Sequence, residues 1–340
     1  MEHANYFKSF LREQVNLDDT RLATLEKRVE AVYDALKADR IIGDLITGKR
    51  RQGSWAHRLI IKPRPDGEYD ADFMLEIDEV DGWEPQTYID EVYNALHRHS
   101  TYKKQKHGRK CRCVYLDYAP VNGVGCHLDI VPFVTLGDGR RVIVNRDDNA
   151  WEPRFGSTNP QGFTDWIKVR AELTNGQFRE VVRLMKYLRD QRGSFDGVRS
   201  VVLTTVLGLQ INEWKAADPQ RYRNLPTALL NIVEDLDQWL QARPSKPFLE
   251  NPSGDGTNFD HRWSEETYTN FRDRLHTIAA EMRAAYDEED PEKSVSAWQK
   301  LLGDKFRPSS TSTASGSSNP FSGAASAVSA AGSSRVGRSG

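Results

Sequence analysis

EYDADFMLEI at residues 68–77 is the stretch that decides the fold, because polar and apolar side chains alternate along it. This period of two is typical of a β-strand with one buried face. The apolar face consists of Ala71, Phe73, Leu75 and Ile77. Asp70 and Asp72 lie on the opposite face, so both carboxylates project from the same side of the predicted strand.

A second predicted strand, HLDIVPFV at residues 127–134, contributes a third carboxylate. Asp129 shares a face with His127 and stands between apolar neighbours, where an aspartate needs a partner or a metal ion. Without a cation, three clustered carboxylates repel one another and raise their own pKa values. Mg²⁺ prefers carboxylate and phosphate oxygens as ligands. Asp70, Asp72 and Asp129 are therefore predicted to hold divalent ions, and adjacent strands would keep them in fixed register.

Gly53 and Ser54 precede Asp70 by some sixteen residues and form a candidate phosphate-binding loop. The surrounding stretch, TGKRRQGSWAH at residues 47–57, has the glycine content of a turn. Glycine allows the backbone to approach a phosphate closely, and a serine hydroxyl and nearby N–H groups can bind terminal phosphates. Five basic residues around this loop would either neutralise a triphosphate or form a solvated surface. They are Lys49, Arg50, Arg51, Arg58 and Lys62.

The composition excludes several classes of protein. The chain of 340 residues has 47 basic and 49 acidic residues, and this near-zero net charge argues against a protein that coats nucleic acid. No apolar run is long enough to span a membrane, and the first residues lack the apolar core of a secretory signal. We therefore expect a cytoplasmic protein with no membrane association and no strong nucleic-acid binding.

Cys111, Cys113 and Cys126 are too few and too close together for a disulfide framework, so reduced thiols are expected. Together with His127 they could be drawn as a zinc site. The ligand spacing of a zinc knuckle is absent, however, and packing within strands is the favoured interpretation.

The periodicity of the chain predicts its domain organisation. Helices are predicted over about Asp19 to Lys37 and Pro85 to His99, and from about Phe163 onward helices replace strands. From Ser309 the composition changes to Ser, Ala and Gly, which cannot bury enough apolar area to fold. Three parts are predicted: an α/β lobe at residues 1–162, which includes an N-terminal helix, a helical lobe at 163–308 and a disordered tail at 309–340.

These elements, in this order, resemble the nucleotidyltransferase superfamily typified by DNA polymerase β, in which Gly-Ser precedes an acidic pair and a distant third carboxylate. More closely, the chain resembles the bacterial CD-NTases, which are related to cyclic GMP–AMP synthase and oligoadenylate synthase. The segments that carry this resemblance are QGSWAHRLIIKP at 52–63, EYDADFMLEI at 68–77, HLDIVPFV at 127–134, RLMKYLRDQ at 183–191, NPSGDGTNFDHRWSEETYTNF at 251–271 and SVSAWQKLLGDKF at 294–306. Many members have threonine where this chain has Leu59.

The resemblance implies an α+β fold, with a polymerase β-like nucleotidyltransferase lobe built on a mixed sheet and a C-terminal helical lobe. It implies that two Mg²⁺ ions, with Mn²⁺ as an alternative, serve the reaction. ATP or other nucleoside triphosphates would be joined into a cyclic oligonucleotide messenger in the antiviral system called CBASS. Lys186 and Ser200 match a lysine and a serine of the family that contact the triphosphate. A solvated helix face and a helix cap are the structural alternatives for these two residues.

Two other functions stay open at this point. The nucleotide could be transferred to an RNA, a protein or a small-molecule acceptor. Alternatively, the chain could be a catalytically inactive module that senses nucleotides or RNA, although such a module has no reason to keep three clustered carboxylates.

The resemblance also suggests a protein partner. Some CD-NTases are joined through their C-terminal residue to other molecules by a partner that resembles ubiquitin-activating and conjugating enzymes. A ubiquitin-transferase-like protein that acts on Gly340 is therefore a candidate partner of this chain.

Overall fold

The computed structural model describes residues 1–64, 67–121, 123–151, 160–254 and 256–308. Met1–Arg307 forms one compact unit. The strands are β1 (Ile46–Gln52), β2 (Glu68–Asp78), β3 (His107–Arg109), β4 (Val114–Val121), β5 (Val124–Thr135), β6 (Arg141–Asn145) and β7 (Ala150–Trp151). The α-helices are α1 (Ala4–Phe10), α2 (Asp19–Lys37), α3 (Gly53–Ala56), α4 (Pro85–Arg98), α5 (Pro160–Leu173), α6 (Gln177–Arg192), α7 (Ser200–Gly208), α8 (Glu213–Ala216), α9 (Leu225–Gln241), α10 (Glu265–Asp287) and α11 (Pro291–Leu302). A π-helical turn, Leu11–Val15, continues α1.

A mixed sheet organises the first half of the chain. Its strand order is β1-β2-β5-β4-β3, and β6 pairs with the last residues of β5. β2 and β5 are parallel, whereas the other pairs are antiparallel. A parallel pair needs a long crossover connection, and here α4 and the β3–β4 hairpin lie between the two strands in sequence. The arrangement confirms the predicted α+β class with a mixed sheet.

One face of this sheet packs against α2 and α4. The helix α2 has the predicted bounds, and Asp18 caps it by accepting a hydrogen bond from Arg21 N at 2.9 Å. Phe73 and Leu75 of β2 are fully buried in the core between the sheet and these helices. The opposite face of β2 carries Asp70 and Asp72 and therefore remains available for chemistry.

Residues 46–52 form a strand rather than part of the turn that their glycine and basic content predicted. β1 pairs with β2 from Ile46, opposite Ile77, to Gln52, opposite Asp72. It is an edge strand, and none of its side chains except Ile46 is buried. Such a strand has no alternating apolar pattern for sequence analysis to detect.

The helices after α5 surround a second hydrophobic core. Apolar side chains from the first fifteen residues also belong to this core, although the sequence predicted them to be part of the α/β lobe at residues 1–162. They are Phe7, Phe10, Leu11 and Val15. Leu59 and Ile61 also belong to it. The segment between β1 and β2 thus connects the sheet to the helical core.

Capping residues mark the helix ends in this half of the chain. Ser264 Oγ accepts a hydrogen bond from Thr267 N at 3.1 Å and caps α10. Gly303, with φ +97°, ends α11. None of the helices in the described part of the chain is both long and apolar enough to cross a membrane. The tail predicted at 309–340, including Gly340, lies outside the described residues.

Candidate active site

Asp70, Asp72 and Asp129 share one face of two neighbouring strands. Asp72 of β2 and Asp129 of β5 are direct partners in the parallel register, and Asp70 pairs with His127. Neighbouring strands lie about 4.8 Å apart, so this register brings the carboxylates within reach of the same small cations. Beyond them the face continues into a small apolar cluster made of Met74, Cys113, Val131, Phe133 and Ile143.

Gly53 follows the last residue of β1, and its backbone lies close to the side chain of Asp72. Its φ of +59° lies in the left-handed region that favours glycine, and α3 begins at this residue. A Cβ atom at position 53 would overlap Asp72 Oδ2. Glycine is therefore the residue that permits this close approach between the loop and the carboxylate.

Gly53→Ala is expected to slow product formation by roughly tenfold to a hundredfold. The Cβ of alanine would displace the Asp72 carboxylate, and the left-handed φ would add backbone strain of about 1–3 kcal/mol. Each ~1.4 kcal/mol lost from the transition state is a factor of about ten in rate. Gly82→Ala is the matched control, because Gly82 has φ +78° and open space where its Cβ would lie. Initial rates and melting temperatures of both variants provide the measurement. A wild-type rate in Gly53→Ala would contradict a role for this contact.

Lys186 is buried on α6, with 5% of its surface exposed. Its Nζ donates hydrogen bonds to Ser54 Oγ at 3.2 Å and to Leu59 O at 2.8 Å. Burial lowers the pKa of Lys186 to about 8. The alternative of a solvated helix face is therefore wrong, since the ammonium group points at the Gly53–Ser54 loop.

Ser200 is the first residue of α7, and it does not cap that helix. The N-cap is Arg199, with no side-chain capping bond. The hydroxyl of Ser200 instead accepts a hydrogen bond from Arg189 Nη2 at 3.2 Å. Arg189 is itself fixed by a bond to Val198 O at 2.8 Å. The hydroxyl is thus oriented by a cation rather than by the helix terminus.

One cavity of about 570 Å³ collects most of the predicted site residues on its walls. Those residues are Gly53, Ser54, Asp72, Asp129, Lys186 and Ser200. Asp70 lines a neighbouring cavity of about 400 Å³, which shares Ser54, Lys186 and Ser200 with the first. The sheet therefore contributes carboxylates, and the helical core contributes the Lys186 ammonium, to the lining of both cavities.

Burial disfavours the ionised form of both Asp70 and Asp72. Burial, followed by the neighbouring charges of Asp129 and Asp70, raises the pKa of Asp72 to about 6. Desolvation raises the pKa of Asp70 as well. A bound cation would reverse both shifts, because an opposite charge favours the ionised form.

Asp129 is held by two neighbouring side chains, those of Lys110 and His127. Lys110 Nζ lies 2.9 Å from Asp129 Oδ1, and His127 Nε2 lies 3.0 Å from the same oxygen. Burial acts to raise the pKa of Asp129, but these hydrogen bonds outweigh it and the net shift is downward. The bond to Asp129, opposed by burial and aided by Asp117, raises the pKa of His127 to about 8.

The donor set fits a hard divalent ion. All three candidate ligands are carboxylates, which suit Mg²⁺ better than Zn²⁺, and after burial the charges of Asp129 and Asp70 contribute to the raised pKa of Asp72. In the described residues, no three His, Cys, Asp or Glu side chains already stand in the arrangement of a metal-binding group. Asp129 is bonded to Lys110 and His127 instead.

The basic residues near the loop are mostly engaged elsewhere. Lys49 pairs with Glu30 and Arg50 with Glu76, while Arg51 Nη2 lies 2.7 Å from Glu26 Oε1. Lys62 Nζ donates to the carbonyl of Glu13 at 2.6 Å. The backbone of Arg58 is in the left-handed region, with φ +58°. Of the five, only Arg51 lines the larger cavity. Lys62 lines the smaller cavity. Acidic neighbours compensate Lys49, Arg50 and Arg51, and neutralisation of a triphosphate by the five stays a prediction.

The zinc alternative also fails. Cys126 and His127 are consecutive residues of β5, so their side chains point to opposite faces of the sheet. Cys126 is buried in the core beneath α2 and α4, whereas Cys113 lines the larger cavity. Strand packing is the role of Cys126, as favoured from the sequence.

Sequence reasoning missed several residues that line the larger cavity. They are His57, Phe163, Thr204, Asn251, Phe259 and Arg262. The rings of Phe163 and Phe259 meet edge to face at 5.8 Å, and His57 lies 5.3 Å from Phe163. The segment 251–271 carries part of the resemblance to the CD-NTases, but its sequence has no periodicity that indicates which residues face a cavity.

Comparison with known sequences identifies the family. The family described as "Second Messenger Oligonucleotide or Dinucleotide Synthetase domain" (SMODS) matches residues 1–170. A cyclic AMP-AMP-AMP synthase from an Acinetobacter strain is 24% identical to this chain over 278 residues, which cover 80% of this chain and 76% of that protein.

Solved structures share the fold. CdnC from Escherichia coli MS115-1, determined with ATP, has a TM-score of 0.65 and 18% sequence identity, over 89% of this chain and 98% of that one. DncV, a cyclic AMP-GMP synthase from Vibrio cholerae determined with nonhydrolysable GTP, has a TM-score of 0.68 and 14% identity, over 90% of this chain and 97% of that one. The chain therefore belongs to the Second Messenger Oligonucleotide or Dinucleotide Synthetase domain family, and it is a bacterial CD-NTase, a nucleotidyltransferase that makes cyclic oligonucleotide messengers for antiviral signalling.

Proposed function

We propose that the cavity between the sheet and α6 is where this chain joins nucleoside triphosphates, with Mg²⁺ as the cofactor. The observation that carries the proposal is the register of Asp72 with Asp129, combined with the bond from Lys186 to Ser54 on the facing wall. A triphosphate and its metal ions need both kinds of charge a few ångströms apart. Mn²⁺ is an alternative cofactor, since its ligand preferences resemble those of Mg²⁺.

The predicted site residues would then have distinct roles in the transfer. Asp70, Asp72 and Asp129 would hold two Mg²⁺ ions, which activate the attacking sugar hydroxyl and stabilise the leaving pyrophosphate when bound. Asp129 would receive the hydroxyl proton. Lys186 and Ser54 would bind the terminal phosphates, with the backbone of α3 close by because position 53 is glycine.

Ser200 and the aromatic residues would complete substrate binding. Ser200 shares both cavities with Lys186 and is oriented by Arg189, so its hydroxyl can donate to a phosphate oxygen. Phe163 and Phe259 offer apolar surface for a base on the same wall. Ring closure requires the linear intermediate to turn round and react again in this cavity.

ATP is the substrate that we propose first. The 24% identical relative is a cyclic AMP-AMP-AMP synthase, and CdnC was determined with ATP. Family membership favours synthesis without an added acceptor over transfer to RNA, protein or a small molecule. We further propose that the protein acts in the cytoplasm. The ubiquitin-transferase-like partner at Gly340 stays a prediction, because that residue lies outside the described part of the chain.

Incubation with radiolabelled ATP, GTP or both, in Mg²⁺ and without acceptor, tests this function. We expect a product from reactions that contain ATP, and we expect it to resist phosphatase because a cyclic product has no terminal phosphate. A phosphatase-sensitive product would point to linear oligonucleotides. Product that forms only after RNA or another acceptor is added would favour the rival function.

A further inference from the structure

Lys110 places a positive charge directly on Asp129. Its Nζ lies 2.9 Å from Asp129 Oδ1 and 3.1 Å from Oδ2, so a single ammonium group bonds both carboxylate oxygens. The same Nζ lies 2.8 Å from His127 Nε2. The roles proposed above leave Lys110 without a function, although it touches a residue at the centre of the site.

The backbone around Lys110 is fixed. Lys110 lies in the turn between β3 and β4, where its N–H donates to Cys113 O at 2.8 Å. The turn is anchored to the end of β6, because Arg146 N donates to Cys111 O at 2.8 Å and Cys111 Sγ donates to Asn145 Oδ1 at 3.1 Å. The side chain of Lys110 is 46% exposed, so it has solvent into which it can turn.

An ammonium group and a divalent ion compete for the same oxygens. Mg²⁺ binds carboxylate oxygens at about 2 Å, and the ammonium already occupies both oxygens of Asp129. Two cations on one carboxylate would repel each other strongly, because Asp129 is only 21% exposed and water screens the charges poorly. In this geometry Lys110 and a divalent ion would compete for Asp129.

We propose that Lys110 is an internal counter-cation that holds Asp129 in the metal-free enzyme and must turn away before a divalent ion binds. Lys110 would thereby set the metal concentration at which the site becomes complete. This inference rests on the proposed function, since it takes Asp129 as a metal ligand.

The neighbouring Lys106 supplies a matched control. It belongs to the same hairpin region and pairs with Asp117 at 2.6 Å, and its side chain is 76% exposed. Lys106→Met removes one positive charge nearby without touching Asp129. Lys110→Met removes the charge that bonds Asp129, Lys110→Gln keeps a hydrogen-bond donor without the charge, and Lys110→Arg keeps the charge.

Binding of Mn²⁺ alone, followed by the paramagnetic resonance signal of the free ion, tests the proposal without any reaction. We expect Lys110→Met and Lys110→Gln to bind Mn²⁺ roughly tenfold more tightly than the wild type, a factor equivalent to about 1.4 kcal/mol. Lys110→Arg and Lys106→Met should bind Mn²⁺ like the wild type. Circular dichroism of each protein checks the fold, and Lys110→Gln stands in if Lys110→Met does not fold.

The outcomes separate this inference from the proposed function. Unchanged or weaker Mn²⁺ binding in Lys110→Met and Lys110→Gln would overturn the counter-cation role. Equal tightening in Lys106→Met would also overturn it, because the effect would then reflect general charge. If Asp72→Asn bound Mn²⁺ as tightly as the wild type, the metal would not bind at this site. That result would contradict the proposed function itself.

Discussion

Asp72→Asn is expected to abolish product formation, with a loss of roughly a thousandfold or more, while leaving the protein folded. The placement of a divalent ion contributes several kcal/mol to transition-state stabilisation, and each ~1.4 kcal/mol is about a factor of ten in rate. Asp72 lies opposite Asp129 in the register and against Gly53, so no other described side chain can take its position. The Asp70→Asn, Asp72→Asn double variant should be at least as inactive.

The same substitution should stabilise the metal-free protein at pH 7.5. The pKa of Asp72 is raised to about 6 in the folded state, above the usual value of an aspartate. Its favourable contribution is therefore complete at low pH and is lost as the pH rises through about 6. Asparagine removes this penalty, so the melting temperature should rise relative to wild type at pH 7.5 and less so at pH 5. A melting temperature that falls at both values would indicate that Asp72 has a structural role.

Lys186→Met should raise the KM for nucleoside triphosphate by roughly tenfold to a hundredfold. A hydrogen bond to a charged group contributes about 1.5–3 kcal/mol, and Lys186 Nζ reaches both Ser54 and the backbone of Leu59 at the loop. Methionine keeps the length and apolar volume of the buried side chain. Steady-state kinetics with saturating Mg²⁺ measures the effect. Lys168→Met is the control, because Lys168 lies on α5 with 66% of its side chain exposed.

The free energies of unfolding of the wild type and of Lys186→Met should also diverge with pH. Burial lowers the pKa of Lys186 in the folded protein to about 8. Between about pH 8 and the pKa of this lysine in the unfolded chain, the unfolded chain therefore binds more protons than the folded protein. Wild-type stability should therefore increase relative to Lys186→Met as the pH rises from 8 to 10. An unchanged KM together with a lower melting temperature would show that Lys186 only supports the packing between Ser54 and α6.

Periodicity predicted the elements that have one apolar face. The helix Asp19–Lys37 and the strand that contains Asp70 and Asp72 follow the predicted pattern, because each buries a regular set of side chains. β1 escaped prediction because it is an edge strand with polar residues on both faces. Its pairing with β2 depends on tertiary contacts that a local pattern does not contain.

The site could be predicted only in part for a similar reason. Spacing alone predicted that Asp70 and Asp72 share a face, and resemblance added Lys186 as a candidate. The burial of Lys186 depends on Leu59 and Ser54, which lie more than a hundred residues away in sequence. The contact of Lys110 with Asp129 depends on a hairpin turn whose direction the sequence does not indicate.

Anomalous diffraction from crystals grown with Mn²⁺ and a nonhydrolysable ATP analogue tests the site assignment most directly. We expect Mn²⁺ peaks between Asp72 and Asp129, with the terminal phosphates within hydrogen-bond distance of Ser54 and Lys186. We also expect crystals of Asp72→Asn to lose these peaks. Metal and triphosphate bound elsewhere on the chain, with this cavity empty, would contradict the account.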